Sequence, residues 1–252
     1  MELYLLCFFA FLSGFIDSIV GGGGLVQIPA FFVLYPQLSV PNIISTNRLA
    51  SAAGTTMAAW NYSRVVAIPW KTVLFAGVSA SGFSYLGATV QSMFPAQVMK
   101  PMILVLIVLI ALYTYRKKNL GQEESFRFSE KRLPFVAAGI GAVLGFYNGF
   151  VGPGTGSLLV FAFVSIVGYN FLKASAISKV VNVIADVSSL VFFLIHKHVL
   201  FHLALPMLVC NVSGSYFGSR MAVLRGNAFM RKVFLVVVAG IVMRFAYDVF
   251  FR

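Results

Sequence analysis

Charged side chains are scarce in this chain. Only 10% of its 252 residues are charged, and only 7 are acidic. Soluble domains carry about 25% charged residues, so the composition excludes an ordinary soluble domain. With 60% hydrophobic residues and a mean hydropathy of +0.91, the chain is expected to lie in a lipid bilayer. Its apolar runs have the roughly 20 residues that a membrane-spanning helix requires.

Cysteine and histidine are also scarce, with 2 and 3 residues. Cys7 and Cys210 lie in apolar segments, which is typical of small buried hydrophobes and gives no support for a disulfide or a metal site. The three histidines fall in HKHVLFH (residues 196–202), an expected interfacial loop without acidic or cysteine partners. The sequence contains no nucleophile–base pair, P-loop lysine or dinucleotide-binding unit. We therefore expect no metal, no cofactor and no enzymatic activity.

The net charge of +12 has a membrane explanation. In a soluble protein it would suggest nucleic acid as a partner. Here most Lys and Arg residues lie in short connections between apolar runs, as the positive-inside rule requires. No nucleic-acid partner is expected.

Two glycine-rich stretches interrupt the apolar sequence. The first is GFIDSIVGGGGLVQIPAFF (residues 14–32), and GFYNGFVGPGTGSLLVFAF (residues 145–163) repeats its plan 131 positions later. Each helical glycine costs roughly 0.5–1 kcal/mol relative to alanine, so we predict that each stretch breaks a helix at membrane depth. The freed backbone groups then need protein or a watery cavity. A duplicated broken helix is typical of secondary-transporter binding sites.

The same offset relates further positions. It aligns Arg48 with Lys179 and residues 84–87 with 215–218, which predicts an internal duplication. We expect an all-α integral membrane protein with two homologous halves, residues 1–115 and 134–252, joined by a cytoplasmic basic linker at 116–133. Each half would be a glycine-broken re-entrant helix pair followed by three transmembrane helices. The predicted helical spans are residues 3–20, 25–35, 42–62, 71–92 and 98–115, and then 134–167, 172–195, 201–221 and 229–251.

The distribution of basic residues favours inverted halves. If each glycine-broken pair re-enters, 13 Lys and Arg residues lie on one side of the membrane and 4 on the other; if each pair crosses, the split is 11 against 6. The first arrangement obeys the positive-inside rule better. It predicts a cytoplasmic linker with both chain ends outside the cytoplasm. The first apolar run has no basic region before it, so we expect no cleavable signal peptide.

Four charged residues lie deep within the predicted helices: Asp17, Arg48, Lys179 and Asp186. A charge at the bilayer centre costs at least about 2.5–3.5 kcal/mol, so such residues are usually functional or paired. Arg48 and Lys179 each follow the first glycine of their break by 27 residues. With the helix dipoles and free N–H groups of the breaks, they predict an anion site. In the simpler alternative Arg48 pairs with Asp17 and Lys179 with Asp186, and both interpretations can hold together.

Other residues at the same depth complete the predicted substrate-binding set, which adds Asn47, Ser178, Gly22, Gly23, Gly154, Thr155, Gln27, Asn148 and Asn182. Each polar side chain taken singly could instead hold helices together. Asp17 and Asp186 are the candidates for a coupling proton, because burial favours a protonated carboxyl unless a cation opposes it.

These motifs resemble those of the sulfite exporter TauE/SafE family of bacterial inner-membrane proteins. The resemblance rests on GFIDSIVGGGG followed by Thr46-Asn47-Arg48, and on GFYNGFVGPGTGS followed by Ser178-Lys179, and it covers nearly the whole chain. Proteins of this family are built from two related halves, and its better-known members move sulfite, sulfonates and other organosulfur anions. The resemblance implies secondary transport of a small anion. The chain lacks the motif cysteines of related thiosulfate importers, which argues against a thiol-based sulfur relay.

Two alternatives stay open from the sequence alone. A passive anion channel would share the two cations but would not need Asp17 or Asp186. A transporter of a non-sulfur anion would fit the same residues. Protons are a candidate coupling ion, and a homodimer is compatible with the sequence.

Overall fold

The computed structural model describes residues 1–93, 123–196 and 198–250, and the regular structure within these ranges is helical. The helices are α1 (Glu2–Val20), α2 (Gly24–Leu34), α3 (Val40–Ser63), α4 (Trp70–Gln91), α5 (Leu133–Phe150), α6 (Thr155–Ala162), α7 (Phe171–Ile195) and α8 (Phe201–Phe250). A π-helical turn, Phe163–Val167, continues α6. Helix α8 is interrupted at Gly226, where φ is +69°. The all-α prediction is confirmed for the described residues.

Most predicted spans correspond to observed helices within a few residues. The pair at 201–221 and 229–251 corresponds to the two parts of α8 on either side of Gly226. The predicted span at 98–115 lies outside the described residues. Within the described part, α1, α4, α5 and α7 are long and apolar enough to cross a membrane. Helix α2 has 11 residues, about 16 Å of helix, which is about half a hydrocarbon core.

Each broken helix folds back on itself. Gly23 lies against Ser13 and Asp17, so the chain has reversed direction after α1. Phe31 of α2 then packs in one buried cluster with Leu6 of α1. In the second half, the residues after the π-helical turn return to the segment before α5, where Ser125 N donates to Gly168 O at 2.7 Å. Each glycine-broken pair is therefore a helical hairpin.

The first helix of each half packs on a helix of the other half. Helix α1 packs along α8, and α5 packs along α4. Gly14 contacts the backbone of Asn211, and Gly145 contacts the backbone of Ala80. These two contacts are related by the 131-residue offset, and small residues allow such close helix approach. The first helix of each half is therefore packed against the other half.

The two glycine breaks meet at the centre of the molecule. Gly21 has φ of +81° and lies directly against the backbone of Gly156 and Ser157, where a Cβ would have no space. Only glycine adopts this conformation readily and leaves room for so close a contact. Buried polar and charged side chains surround this junction, and Asp17 Oδ1 and Lys179 Nζ both lie close to Gly156. The junction is therefore the polar centre of the fold.

Candidate functional site

A cavity of about 40 Å³ lies beside the junction of the two breaks. The first residues of α2 and α6 border it, so the N-termini of both short helices face the same space. Gly154, with φ of +86°, turns the chain into α6. The volume exceeds the roughly 10–15 Å³ that a single water requires. The cavity is lined by Asp17, Gly24, Ile28, Ile44, Asn47, Arg48, Ser51, Asn148, Gly152, Pro153, Gly154, Thr155, Gly156, Asn182 and Asp186.

Arg48 is the cation that lines this cavity. Its side chain comes from α3 and is only 4% exposed. Nη2 donates to Asn148 O at 2.7 Å, and the guanidinium carbon lies 5.3 Å from the centre of the Phe193 ring. Nη1 is buried and has no hydrogen-bond partner among the described residues. An unsatisfied buried donor is costly, and the cost is greater for a charged group. Arg48 lines the cavity and therefore keeps one charged donor that the described residues leave unsatisfied.

Lys179 is fully buried and is engaged by Asp17. Its Nζ lies 3.0 Å from Asp17 Oδ2 and also donates to the main-chain oxygen of Asp17. The same carboxylate accepts from Thr55 Oγ1 and from Gly23 N, both at 3.2 Å. The alternative, in which Lys179 pairs with Asp186 and Arg48 pairs with Asp17, is therefore wrong, because Lys179 pairs with Asp17. The ion pair in this site joins α7 to α1, because Lys179 projects towards the first broken helix.

Asp186 is held by neutral amides. Asn148 Nδ2 donates to Oδ1 at 2.9 Å, and Asn182 Nδ2 donates to Oδ2 at 2.8 Å. Ser84 of α4 donates in turn to Asn148 Oδ1 at 3.1 Å. Within the described ranges, no Lys or Arg nitrogen lies within ion-pair distance of this carboxyl. Arg48 lines the same cavity and supplies the nearby opposite charge.

The two central cations bind equivalent atoms of opposite halves. Arg48 donates to the main-chain oxygen of Asn148, and Lys179 donates to the main-chain oxygen of Asp17. The 131-residue offset relates both the donors and the acceptors. Each cation thus contacts the last turns of the other half's first helix, where the helix dipole favours positive charge.

Eight of the predicted site residues line the cavity: Arg48, Asn47, Gly154, Thr155, Asn148, Asn182, Asp17 and Asp186. The other five lie around it. Lys179 and Gly23 hold Asp17, and Gln27 accepts from Asn211 Nδ2 at 3.3 Å. Ser178 is buried, and its Oγ has no hydrogen-bond partner in the described part of the chain. Gly22 belongs to the first break.

The site also includes residues that the sequence analysis did not select. Ser51 and Thr55 follow Arg48 by three and seven positions on α3, a helical spacing that could have identified them. Gly152, Pro153 and Gly156 belong to the quoted second motif. Ile28 and Ile44 carry no sequence signal, because an apolar residue in a membrane helix is ordinary.

The family profile and the similar proteins agree on one family of membrane transporters. The profile of the family described as sulfite exporter TauE/SafE matches residues 6–245. The chain is similar to the probable membrane transporter protein YfcA of Escherichia coli (strain K12), with 34% identity over 98% of this chain and 90% of that protein. It is also similar to the probable membrane transporter protein ORF9 of Sinorhizobium sp, with 32% identity over 95% and 90% of the two chains. No solved structure matches the chain significantly.

Proposed function

This chain belongs to the sulfite exporter TauE/SafE family of membrane transporters, and from that premise we propose that it is a secondary transporter of a small anion. The proposed substrate is sulfite, a sulfonate or a related organosulfur anion. The observation that carries the proposal is that buried Arg48 lines a cavity where two short helices begin and that its Nη1 has no hydrogen-bond partner among the described residues.

The surroundings of Arg48 support an anion as the ligand. The N-terminus of a helix carries partial positive charge, and α2 and α6 both present this end to the cavity. An oxyanion accepts several hydrogen bonds, and a charged donor strengthens each one that it makes. In this proposal Arg48 contacts the anion directly, together with Asn47 and Thr155. Lys179 acts as the counter-charge that neutralises Asp17.

Inverted halves complete the proposed mechanism of transport. The first hairpin continues directly into the start of α3, whereas the second hairpin ends beside the start of α4, where Tyr169 Oη lies 3.3 Å from Thr72 Oγ1. Helix α3 has 24 residues, about 36 Å, and separates these two places. This contact supports hairpins that open towards opposite faces of a bacterial inner membrane, with a central site that either face could reach. The proposal makes protons the coupling ion, with Asp17 and Asp186 as candidate carriers.

The direct test is anion binding to wild type and Arg48→Gln. Purified protein is titrated calorimetrically with sulfite, sulfate, methanesulfonate and nitrate. A charged hydrogen bond contributes about 1.5–3 kcal/mol, so we expect Arg48→Gln to weaken binding of the preferred anion by about ten- to a hundredfold. Arg64→Gln is the matched control, because Arg64 is an exposed arginine at the end of the same helix and its loss should leave the affinity unchanged.

Unchanged affinity in Arg48→Gln would contradict the proposed site, and the absence of binding by every anion in the series would contradict an anion substrate. Proteoliposomes separate a transporter from a passive channel. A secondary transporter accumulates the anion above its equilibrium distribution when a proton gradient is imposed, whereas a channel cannot.

A further inference from the structure

The charged groups around the cavity cancel one another. Asp17 and Asp186 contribute two negative charges, and Arg48 and Lys179 contribute two positive charges, all on buried residues. An anion added to this neutral set would leave one negative charge uncompensated away from water. Uncompensated buried charge is strongly unfavourable. If the site binds an anion, as the proposed function states, the formal charges of the side chains balance it only when one carboxylate becomes neutral at the same time.

Asp17 is poorly suited to accept that proton. Its carboxylate accepts from the Lys179 ammonium, the Thr55 hydroxyl and the Gly23 amide. Protonation would leave the fully buried ammonium of Lys179 without a counter-charge. It would also place a donor among three existing donors. Asp17 thus serves as the counter-charge of Lys179.

Asp186 can change protonation state within its existing hydrogen bonds. Both of its donors are carboxamides, Asn148 and Asn182, and a rotated carboxamide presents an oxygen where it previously presented an N–H group. After rotation of Asn148, its Nδ2 would face the Ser84 hydroxyl, which can accept. A protonated Asp186 would then donate to the amide oxygen of Asn148 and still accept from Asn182, while the long 3.4 Å hydrogen bond from Asn148 Nδ2 to Asn182 Oδ1 would be lost.

Among the charges that act on Asp186, Arg48 is the cation that can compensate a bound anion in place of Asp186. They come from Arg48 on α3, Asp17 on α1 and Lys179 on α7 itself, whereas α4 and α5 contribute the neutral Ser84 and Asn148. Lys179 is already paired with Asp17. Arg48 is therefore the charge that can compensate either Asp186 or a bound anion.

We propose that the site binds one monovalent anion together with one proton from solvent, with the anion on Arg48 and the proton on Asp186. This assignment deepens the proposed function and rests on it. The loaded and empty sites then have the same net charge. Anion affinity should fall as pH rises, by about tenfold per pH unit once Asp186 is ionised in the empty site.

The test measures how many protons the protein takes up when the anion binds. The anion that binds in the series above is titrated at several pH values, each in two buffers of different ionisation enthalpy, so that the buffer heat reports the number of protons taken up. We expect wild type to take up one proton more than Asp186→Asn at the alkaline end of the range. The variant is permanently neutral at this position, so its affinity should match the acid-limit affinity of wild type at every pH. The comparison cancels any titration of the anion itself.

Glu124→Gln is the control, since it removes a partly exposed carboxyl outside the cavity and should keep the wild-type proton count. Asp186→Ser replaces the asparagine variant if that one does not fold. Equal proton uptake in wild type and the neutral variant, with anion binding intact, would overturn the assignment of Asp186 and leave the anion site standing. Failure of every anion to bind would overturn both proposals.

Discussion

Asp17 and Lys179 form a buried ion pair across 162 residues of sequence. Removing one member of such a pair leaves an uncompensated charge, which typically costs about 3–5 kcal/mol. We expect Asp17→Asn to lower the free energy of unfolding by an amount of this order. The double variant Asp17→Asn with Lys179→Met should recover much of the loss, because it removes both charges. Thermal unfolding of the purified protein measures each value.

The exposed ion pair of Lys173 and Glu124 provides the comparison. Its atoms lie 3.2 Å apart, but both side chains are more than a quarter exposed, and such pairs contribute about 0–1 kcal/mol. Glu124→Gln should therefore change stability little. Equal effects of Asp17→Asn and Glu124→Gln would mean that the Asp17 pair has no structural role.

At the scale of helices, the glycine breaks allow the two hairpins to meet. Gly21 has a left-handed backbone and no room for a side chain beside Gly156. Alanine at this position suffers both conformational strain and overlap. We expect Gly21→Ala to cost more than about 1 kcal/mol of stability and to abolish anion binding, because the overlap displaces the start of α6 from the cavity.

The Gly139→Ala variant distinguishes an effect of the break from a general effect of replacing a glycine. Gly139 lies within α5, and a Cβ there would meet no atom within 4 Å. Gly139→Ala should therefore be neutral or stabilising by up to about 1 kcal/mol through helix propensity. If Gly21→Ala bound the anion as tightly as Gly139→Ala, a role for the break in shaping the site would be excluded.

Sequence patterns predict helices and breaks better than they predict which side chains pair with each other. The glycine runs and the 131-residue offset predicted the hairpins, and together with the charged and polar residues at membrane depth they predicted eight of the cavity-lining residues. They could not predict that Lys179 reaches Asp17 and leaves Asp186 to the amides of Asn148 and Asn182. Partner choice depends on how α1, α5 and α7 cross, which is set by packing between residues far apart in sequence.

For the whole molecule, the described basic residues support one orientation. The α3–α4 connection, the segment before α5 and the start of α7 lie in one region. Tyr169, just before α7, contacts Thr72 at the start of α4, and Lys173 of α7 pairs with Glu124 before α5. The basic residues in or beside these segments are Arg64, Lys71, Arg127, Lys131, Arg132 and Lys173. Positive charge concentrated at one end of a membrane protein predicts the cytoplasmic end.

A reporter that is active only in the cytoplasm tests this orientation. Fused after Arg252, it should be inactive in cells, because the inverted arrangement places the C-terminus outside the cytoplasm. The same reporter inserted in the linker at 116–133 should be active and serves as the control for expression. Strong activity of the C-terminal fusion would contradict re-entrant hairpins and favour full crossings by the glycine-broken segments.

The reciprocal contacts of Arg48 with Asn148 and of Lys179 with Asp17 have a consequence for the origin of the chain. Neither half contains both a cation and the carbonyl oxygen that the cation binds. An ancestor of half this length could have formed the site only as two copies, each closing the broken helix of the other. In such an ancestry, fusion of the copies would allow the two contacts to diverge, so that one became the ion pair of Asp17 with Lys179. The other contact, between Asn148 and Arg48, left a charged donor without a partner among the described residues.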